Sequence, residues 1–361
     1  MTDRHGRVVC RFAGRIRRDV EAGLYPEGQF LPSIRELSER HGVAKGTAER
    51  ALRLLSSEGL IVSRPRRGYL RPLTGKDTAT GYPTAYIYSG MYSTGPGDDW
   101  DEDAARRTLN EFERLAAHRS QSLLVLKATD RAPDDILAQL SAARASAVVT
   151  DALDPAFLDK TKELGLPTVV IDNIGEGYDI DTVAQDGWLG GLYAARELAR
   201  RGHRRIGWLG PEPLNSDPQI AERLGGVLGG LARAGLDLPG DLRVSAPIGH
   251  AEEARRIARE FLARPDRPKA FFAIWQDMTA ALAGAANDLG LVPGRDFDFV
   301  GWCTREQYDA GYLAGLGVAA SQAMLVWSVA EMAKTAMARL TERRTTPDLP
   351  CVALKIPVHL V

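Results

Sequence analysis

The chain has 361 residues, with 46 Lys and Arg against 47 Asp and Glu and a formal net charge of −1. That length admits two or three domains, and a 44% hydrophobic, 26% charged composition is ordinary for a soluble globular protein. No apolar run reaches the roughly twenty residues of a membrane span and the N-terminus has no secretory core, which excludes membrane and secreted classes and predicts a cytoplasmic location.

The near-zero total hides a partition. Residues 1–75 carry 15 Lys and Arg against 8 Asp and Glu, and the remainder carries 31 against 39. A basic head on an acidic body is the electrostatic footprint of a segment that meets phosphate. The three cysteines, Cys10, Cys303 and Cys351, are isolated and odd in number. Without a secretory signal they read as free thiols.

In chain order, Val9, Phe12, Ile16 and Val20 form one stripe of an amphipathic helix. Ser33 and Glu36 have the spacing of a capping box that opens a short helix with Ile34 and Leu37 inward. Gly42 supplies a turn, and a second helix is predicted over 44–57, with Ala48, Ala51, Leu52 and Leu55 on its buried face. Lys45, Thr47, Glu49 and Arg50 are then left on the opposite side, and Gly59 is the expected C-terminal cap. A two-stranded wing follows, with Arg64, Arg66 and Arg67 in and around the turn before Tyr69. Any one of these charges reads equally well as a solvated face. Together, on a small apolar tripod, they suit the DNA major groove.

The stretch from Arg71 to Pro83, rich in Thr, Gly and Pro and without periodicity, marks a linker. The expected division is a head over 1–72, a linker over 73–84 and a body over 85–361. In the body, apolar strands alternate with amphipathic helices in two series. Strands are predicted at 86–88, 123–126, 147–149 and 168–171, then at 205–209, 243–245, 270–274 and 297–300. Helices are predicted at 100–118, 133–143, 186–201, 219–234, 252–263 and 277–289. Continuous apolar strands in repeated βα units predict an α/β fold with parallel sheets covered on both faces, here in two lobes. A ligand would lie at the carboxyl ends of the strands, in the cleft between lobes. Gly225-Gly226 and Gly229-Gly230 fall within a predicted helix and read as sites of close packing rather than a phosphate cradle. There is no nucleophile elbow, no Walker-type loop and no dinucleotide fingerprint, so an enzyme is not expected. No His, Cys or carboxylate group has metal spacing, and no cofactor is implied.

Residues 8–71 resemble the winged helix-turn-helix of GntR-type bacterial repressors. The resemblance is carried by Leu31-Pro32-Ser33-x-Arg35-x-Leu37, Gly42-Val43, Thr47, Ala51-Leu52 and Glu58-Gly59-Leu60-Ile61, with Tyr25-Pro26-x-Gly28 upstream. It implies that Arg35, Lys45, Thr47 and the wing around Arg66 and Arg67 face DNA. Ser33, Gly46, Arg50, Arg64 and Gly68 complete the candidate DNA-binding set. Glu49, Ala44 and Arg66-Arg67-Gly68 depart from the usual pattern of arginine, serine and Gly-x-Gly.

Residues 85–361 resemble the effector domain of LacI/GalR-type repressors, which shares the fold of periplasmic sugar-binding proteins. The carrying segments are Leu166 to Asn173, Val183-x-x-Asp186, Arg200 to Gly210, Arg223-x-x-Gly226, Arg267 to Trp302, Val318 to Gln322 and Val352 to Val361. The resemblance implies chain crossings between lobes near 172–186 and 316–323. It also implies an effector pocket of Trp100, Arg223, Gln276, Asp277, Trp302 and Cys303, with Cys303 where a carboxylate is usual and His250 where an aromatic is expected. Trp275 and Trp302 beside polar groups suit stacking on a sugar ring. The same two tryptophans also read as core aromatics, Asp277 as a helix N-cap, Asp172 and Asp186 as hinge and cap residues, and His203 as a brace for a turn.

The combined expectation is a ligand-responsive transcriptional regulator, a repressor acting on double-stranded DNA as a homodimer on an inverted repeat, with a small carbohydrate-like effector. Two other readings stand beside it. The body serves dimerisation alone, or it senses a non-sugar metabolite.

Overall fold

The head is built on three helices, α1 (Asp3–Glu21), α2 (Ile34–His41) and α3 (Lys45–Ser57), and a two-stranded wing, β1 (Val62–Arg64) with β2 (Gly68–Leu70). The computed structural model describes residues 3–25, 30–57, 60–64, 68–71, 82–88, 99–119, 121–128, 131–151, 154–173, 179–211 and 218–361. Phe12, Ile16 and Val20 of α1, Leu37 of α2, and Ala48, Ala51, Leu52 and Leu55 of α3 form one buried cluster that Ile61 and Tyr69 of the wing join. Each fully buried Leu or Ile there stabilises the head by about 1.5–3 kcal/mol. The capping box forms as the spacing predicts, with Ser33 Oγ accepting from Glu36 N and Glu36 Oε2 accepting from Ser33 N at 2.8 Å. Gly42 closes α2 at φ +61, a conformation that an L side chain rarely adopts. Gly59, the expected cap of α3, lies outside the described residues.

The first lobe is a six-stranded parallel sheet. Its strands are β3 (Thr84–Tyr88), β4 (Leu123–Lys127), β5 (Ala147–Thr150), β6 (Thr168–Ile171), β7 (Asp181–Gln185) and β13 (Ala353–Ile356), in the order β13-β7-β6-β5-β3-β4. Its helices are α4 (Asp99–His118), α5 (Pro133–Ala142), α6 (Pro155–Glu163) and α13 (Val329–Thr345). Alternation along the strands divides the core. Ala85 and Ile87 pack with Ile136, Leu140 and Phe157, whereas Tyr86 lies on the other side against Phe112.

The second lobe has β8 (Gly207–Gly210), β9 (Arg243–Ser245), β10 (Ala270–Ala273), β11 (Asp298–Thr304), β12 (Ala323–Trp327) and β14 (His359–Leu360), in the order β14-β12-β11-β10-β8-β9, with β14 antiparallel to β12. Its helices are α7 (Gly187–Arg200), α8 (Pro218–Arg233), α9 (Ala251–Ala263), α10 (Gln276–Asp288), α11 (Arg305–Asp309) and α12 (Tyr312–Gly315). Among the described residues no helix is long and apolar enough to cross a membrane.

Of the two expected crossings, the first falls at the end of its range and the second needs correction. β7 stays in the first sheet between β6 and β13, so the chain passes to the second lobe only at Asp186, whose side chain caps α7 through Leu189 N at 2.9 Å. The return is not at 316–323 but at Ser328. Residues 318–322 form a turn, with Gly317 at φ +69 and Gln322 N bonded to Ala319 O, and the strand begins after it at Ala323. A further passage at Pro357 joins β13 to β14. The linker expected to reach residue 84 ends sooner, because Thr84 already pairs with Leu123 and Ala147.

Helices α7 and α8 touch backbone to backbone. A β-carbon on Gly191 would lie 2.2 Å from Arg223 O, and one on Gly226 would lie 2.0 Å from Trp188 O. Gly230 is also close to Ala195 and Leu192, whereas a β-carbon on Gly225 would meet Trp188 only at an ordinary 3.9 Å and one on Gly229 would meet nothing within 4 Å. Of the four glycines read as packing sites, only Gly226 and Gly230 act so.

Candidate DNA interface and candidate effector cleft

On the head, α3 turns its apolar face to α1 and α2, which exposes Lys45, Gly46 and Arg50 at its N-terminal end. Arg50 is exposed, and its Nε donates to Gly46 O at 3.1 Å. Thr47 departs from expectation. It is 8% exposed, because it lies one helical turn before buried Ala51 and shares its inward face. Arg35 is exposed and paired with Glu39 at 2.9 Å, and Glu49 pairs with Arg53 rather than facing outward alone. Ser33 is committed to its cap, and its backbone N–H and hydroxyl hold the Glu36 carboxyl below the usual carboxylate range. Gly68 opens β2 at φ +105 opposite Arg64. The Arg64 side chain, Arg66 and Arg67 lie outside the described residues. A helix N-terminus carrying an exposed amine and guanidinium can meet both phosphate oxygens and purine edges.

In the body, the expected pocket residues gather around Arg223 of α8. Its guanidinium is sandwiched between two indoles, with Cζ 4.2 Å from the Trp275 ring centroid and 4.0 Å from that of Trp302. Arg223 is 3% exposed and Nη1 donates to Ile274 O at 2.6 Å. The tryptophans therefore do not stand ready to stack on a sugar ring. The faces that would do so flank the protein's own cation, a contact worth about 2 kcal/mol when desolvated. Both indoles are also core groups, Trp275 edge-on to Trp208 and Trp302 against Gly190.

A polar thread leads from this sandwich into the first lobe. Trp302 Nε1 donates to Gln185 Oε1 at 2.9 Å, and Gln185 Nε2 donates to Asp172 Oδ1 at 2.8 Å. On the other side Gln219 Nε2 donates to Asp172 O, and Arg223 Nη2 reaches Gln219 Oε1 at 3.4 Å. Asp172 sits at φ +49, a left-handed conformation that Asp tolerates better than most residues and that both glutamines brace. Sequence reasoning missed Gln185 and Gln219. The signal available for Gln219 was its position one helical turn before Arg223.

Asp277 is 4% exposed. It does not cap α10, which starts after Trp275 without a side-chain cap; Oδ2 accepts instead from Gly249 N at 3.1 Å. Oδ1 has no hydrogen-bond partner among the described residues. Burial pushes the Asp277 carboxyl up, against the Gly249 N–H and the Arg223 charge. Gln276 lends its carbonyl to Tyr312 Oη at 2.7 Å. Cys303 follows Trp302 on β11 and therefore points to the opposite side, toward α11, where burial pushes its thiol up to about 12. It remains a neutral thiol and does not replace the expected carboxylate. His250 is exposed at the start of α9, next to Gly249. Trp100 belongs to α4, but its side chain lies outside the described residues. His203 braces its turn through Asp298 at 2.7 Å. Among the described residues no group of three His, Cys, Asp or Glu side chains could hold a metal ion.

Two family models match the chain. One, described as bacterial regulatory proteins of the gntR family, covers residues 11–70, and the other, a periplasmic binding protein-like domain, covers residues 195–361. An uncharacterized HTH-type transcriptional regulator YjiR from Escherichia coli K12 is 46% identical over 50 residues, 14% of this chain and 11% of that protein. The HTH-type transcriptional repressor PurR of Klebsiella pneumoniae strain 342 is 27% identical over 207 residues, 57% of this chain and 53% of that protein. The chain thus spans about half or less of the curated relatives it matches. Among solved structures, a transcriptional regulator CelR–cellobiose complex aligns with a TM-score of 0.64 at 18% identity over 92% of this chain and 98% of that one. A LacI family transcriptional regulator from Enterococcus faecium with bound ribose aligns with a TM-score of 0.61 at 16% identity over 77% and 96%. At such identities the likeness is one of fold.

Proposed function

The chain joins a GntR-type helix-turn-helix to a periplasmic-binding-protein-like body, and from that premise we propose that it is a transcriptional repressor whose grip on DNA is set by a small molecule in the inter-lobe cleft. The observation that carries this reading is the coexistence of the two parts. The exposed N-terminal end of α3 offers Lys45 and Arg50, and a polar thread runs through the hinge of the body. A homodimer would present two heads to an inverted repeat. Binding in the cleft can alter DNA affinity only through a difference in effector affinity between lobe arrangements, typically about 1–3 kcal/mol.

The effector of this reading is carbohydrate-like, in keeping with the cellobiose and ribose that accompany the two similar structures. Its hydroxyls would donate to Asp277 Oδ1 and accept from the Arg223 fork, drawing the guanidinium out from between the indoles. A second reading, a body that only dimerises or that takes a non-sugar metabolite, is favoured by the sandwich itself, since Arg223 already fills the aromatic slot.

The test has two parts. Mobility shift on promoter fragments should show binding at low salt, and Lys45→Ala should weaken it by about 1–3 kcal/mol. No shift by the wild-type protein on any fragment would sink the regulator reading. Thermal scanning against sugars, nucleosides and phosphorylated metabolites should then give a stabilisation of about 2.7 kcal/mol at a hundredfold excess over Kd. Arg223→Lys should lose that shift, because an ammonium has no planar fork. A response to nucleosides alone, or to nothing, would favour the second reading.

A further inference from the structure

Three arginines gather where the linker enters the body, around Tyr82 to Thr84 at the amino end of β3. Arg344, in the last turn of α13, donates to Thr84 Oγ1 at 2.9 Å and to Ser146 Oγ at 2.6 Å. Arg144, exposed at φ +52, reaches Tyr82 Oη at 3.3 Å and lies 5.8 Å from the centroid of that ring. Arg119 follows the C-terminus of α4 and is close enough for its charge to act on Arg344. No ion pair ties any of the three to a carboxylate among the described residues. Arg343, at the same helix end as Arg344, shows the contrast, since it is paired with buried Asp181.

Part of this arrangement has a structural reason. Cations at the carboxyl ends of α4 and α13 offset the helix dipoles. That accounts for single charges, but not for a half-buried guanidinium that repels a neighbouring one while it donates to neutral hydroxyls. Arg344 Nε has no hydrogen-bond partner among the described residues, and burial together with Arg119 lowers its pKa. An anion beside Arg119 and Arg344 would remove the repulsion, and Arg144 lies at the same end of the lobe, against Tyr82.

We infer that this arginine cluster on the first lobe is a second DNA contact, which grips backbone phosphate beside the site read by the winged head. The inference rests on the reading of the protein as a DNA-binding regulator. The tether supports it. Only the ten residues 72–81 separate the head from Tyr82, a reach of at most about 40 Å. Duplex held by the head therefore lies near this end of the lobe. The charge balance supports it too, since residues 76–361 carry 31 basic against 39 acidic side chains, and three arginines around one end of the lobe run against that acidic background.

The experiment is a salt titration of full-length protein on a random-sequence duplex of about four helical turns, because phosphate contacts carry no sequence information. The variant is Arg119→Gln with Arg144→Gln, which leaves half-buried Arg344 in place. The expected result is a salt slope smaller by about one for each lost contact, with weaker binding on every sequence. Arg119→Lys with Arg144→Lys should restore the slope, and melting temperatures should stay unchanged. Wild-type slope and affinity in the glutamine variant, alongside a weakened Lys45→Ala, would overturn the second contact and leave the regulator reading intact. A slope lost together with the melting temperature would overturn it as a structural effect. No DNA binding by the wild type would overturn both.

Discussion

Replacing Asp181 by alanine should lower the stability of the body by about 3–5 kcal/mol, the usual effect of removing one partner from a buried ion pair. Asp181 is 1% exposed at the start of β7. Oδ2 accepts from Arg343 Nε, Oδ1 accepts from Val352 N at 2.9 Å, and Arg339 Nε stands 3.0 Å from Oδ1. The arginine side chains are only 8% and 13% exposed. They also hold the segment that leads from α13 to β13, Arg339 through Pro350 O and Arg343 through Pro347 O and Leu349 O. Without the carboxylate, two guanidiniums remain in a poorly hydrated place and the loop that brings β13 to β7 loses its anchor. Urea unfolding followed in the body should show the loss, with Asp181→Asn less affected because an amide still accepts a hydrogen bond. A loss under about 1 kcal/mol in the alanine variant would mean that solvent reaches these arginines after all.

Gly226→Ala should destabilise at or above the upper end of the roughly 1–3 kcal/mol typical of overpacking. The added carbon would sit 2.0 Å from Trp188 O and 3.0 Å from Leu192 N, both backbone atoms that no rotamer change can move. Helices α7 and α8 would have to separate. Because α8 carries Arg223, and the carbonyl of Arg223 is what Gly191 packs on, the sandwich between Trp275 and Trp302 should loosen too. Tryptophan emission would report this separately from melting. Gly229→Ala is the matched control. Nothing lies within 4 Å of its added carbon, and the better helix former should raise stability by about 0.5–1 kcal/mol. Equal effects from the two substitutions would contradict the close contact.

Much of the head is legible in the sequence. The capping box at Ser33 and Glu36 and the stripe of Ala48, Ala51, Leu52 and Leu55 depend on neighbours three or four residues away. Thr47 failed for a near cause. Its expected place opposite the buried face does not hold, because it lies one turn before Ala51 and shares that inward side. In the body, apolar runs announced most strands, but β7 was hidden by its polar ends, Asp181 and Gln185, whereas α13 was legible, with Val329, Met332, Ala333, Ala336, Met337 and Leu340 at helical spacing. The late crossing was misplaced because residues 318–322 look like a strand and form a turn.

The sequence by itself determined the two-part plan, a basic winged head on an acidic βα body, because patterning, caps and charge balance act over a few residues or over the whole chain. Only the tertiary structure decided what the cleft residues do. Arg223 meets Ile274, Trp275 and Trp302, which lie 51, 52 and 79 positions further along. The choice between a guanidinium facing ligand and one held between indoles is made where α8, β10 and β11 converge. Local patterning carries no record of that convergence, since it is fixed by packing between segments distant in the chain.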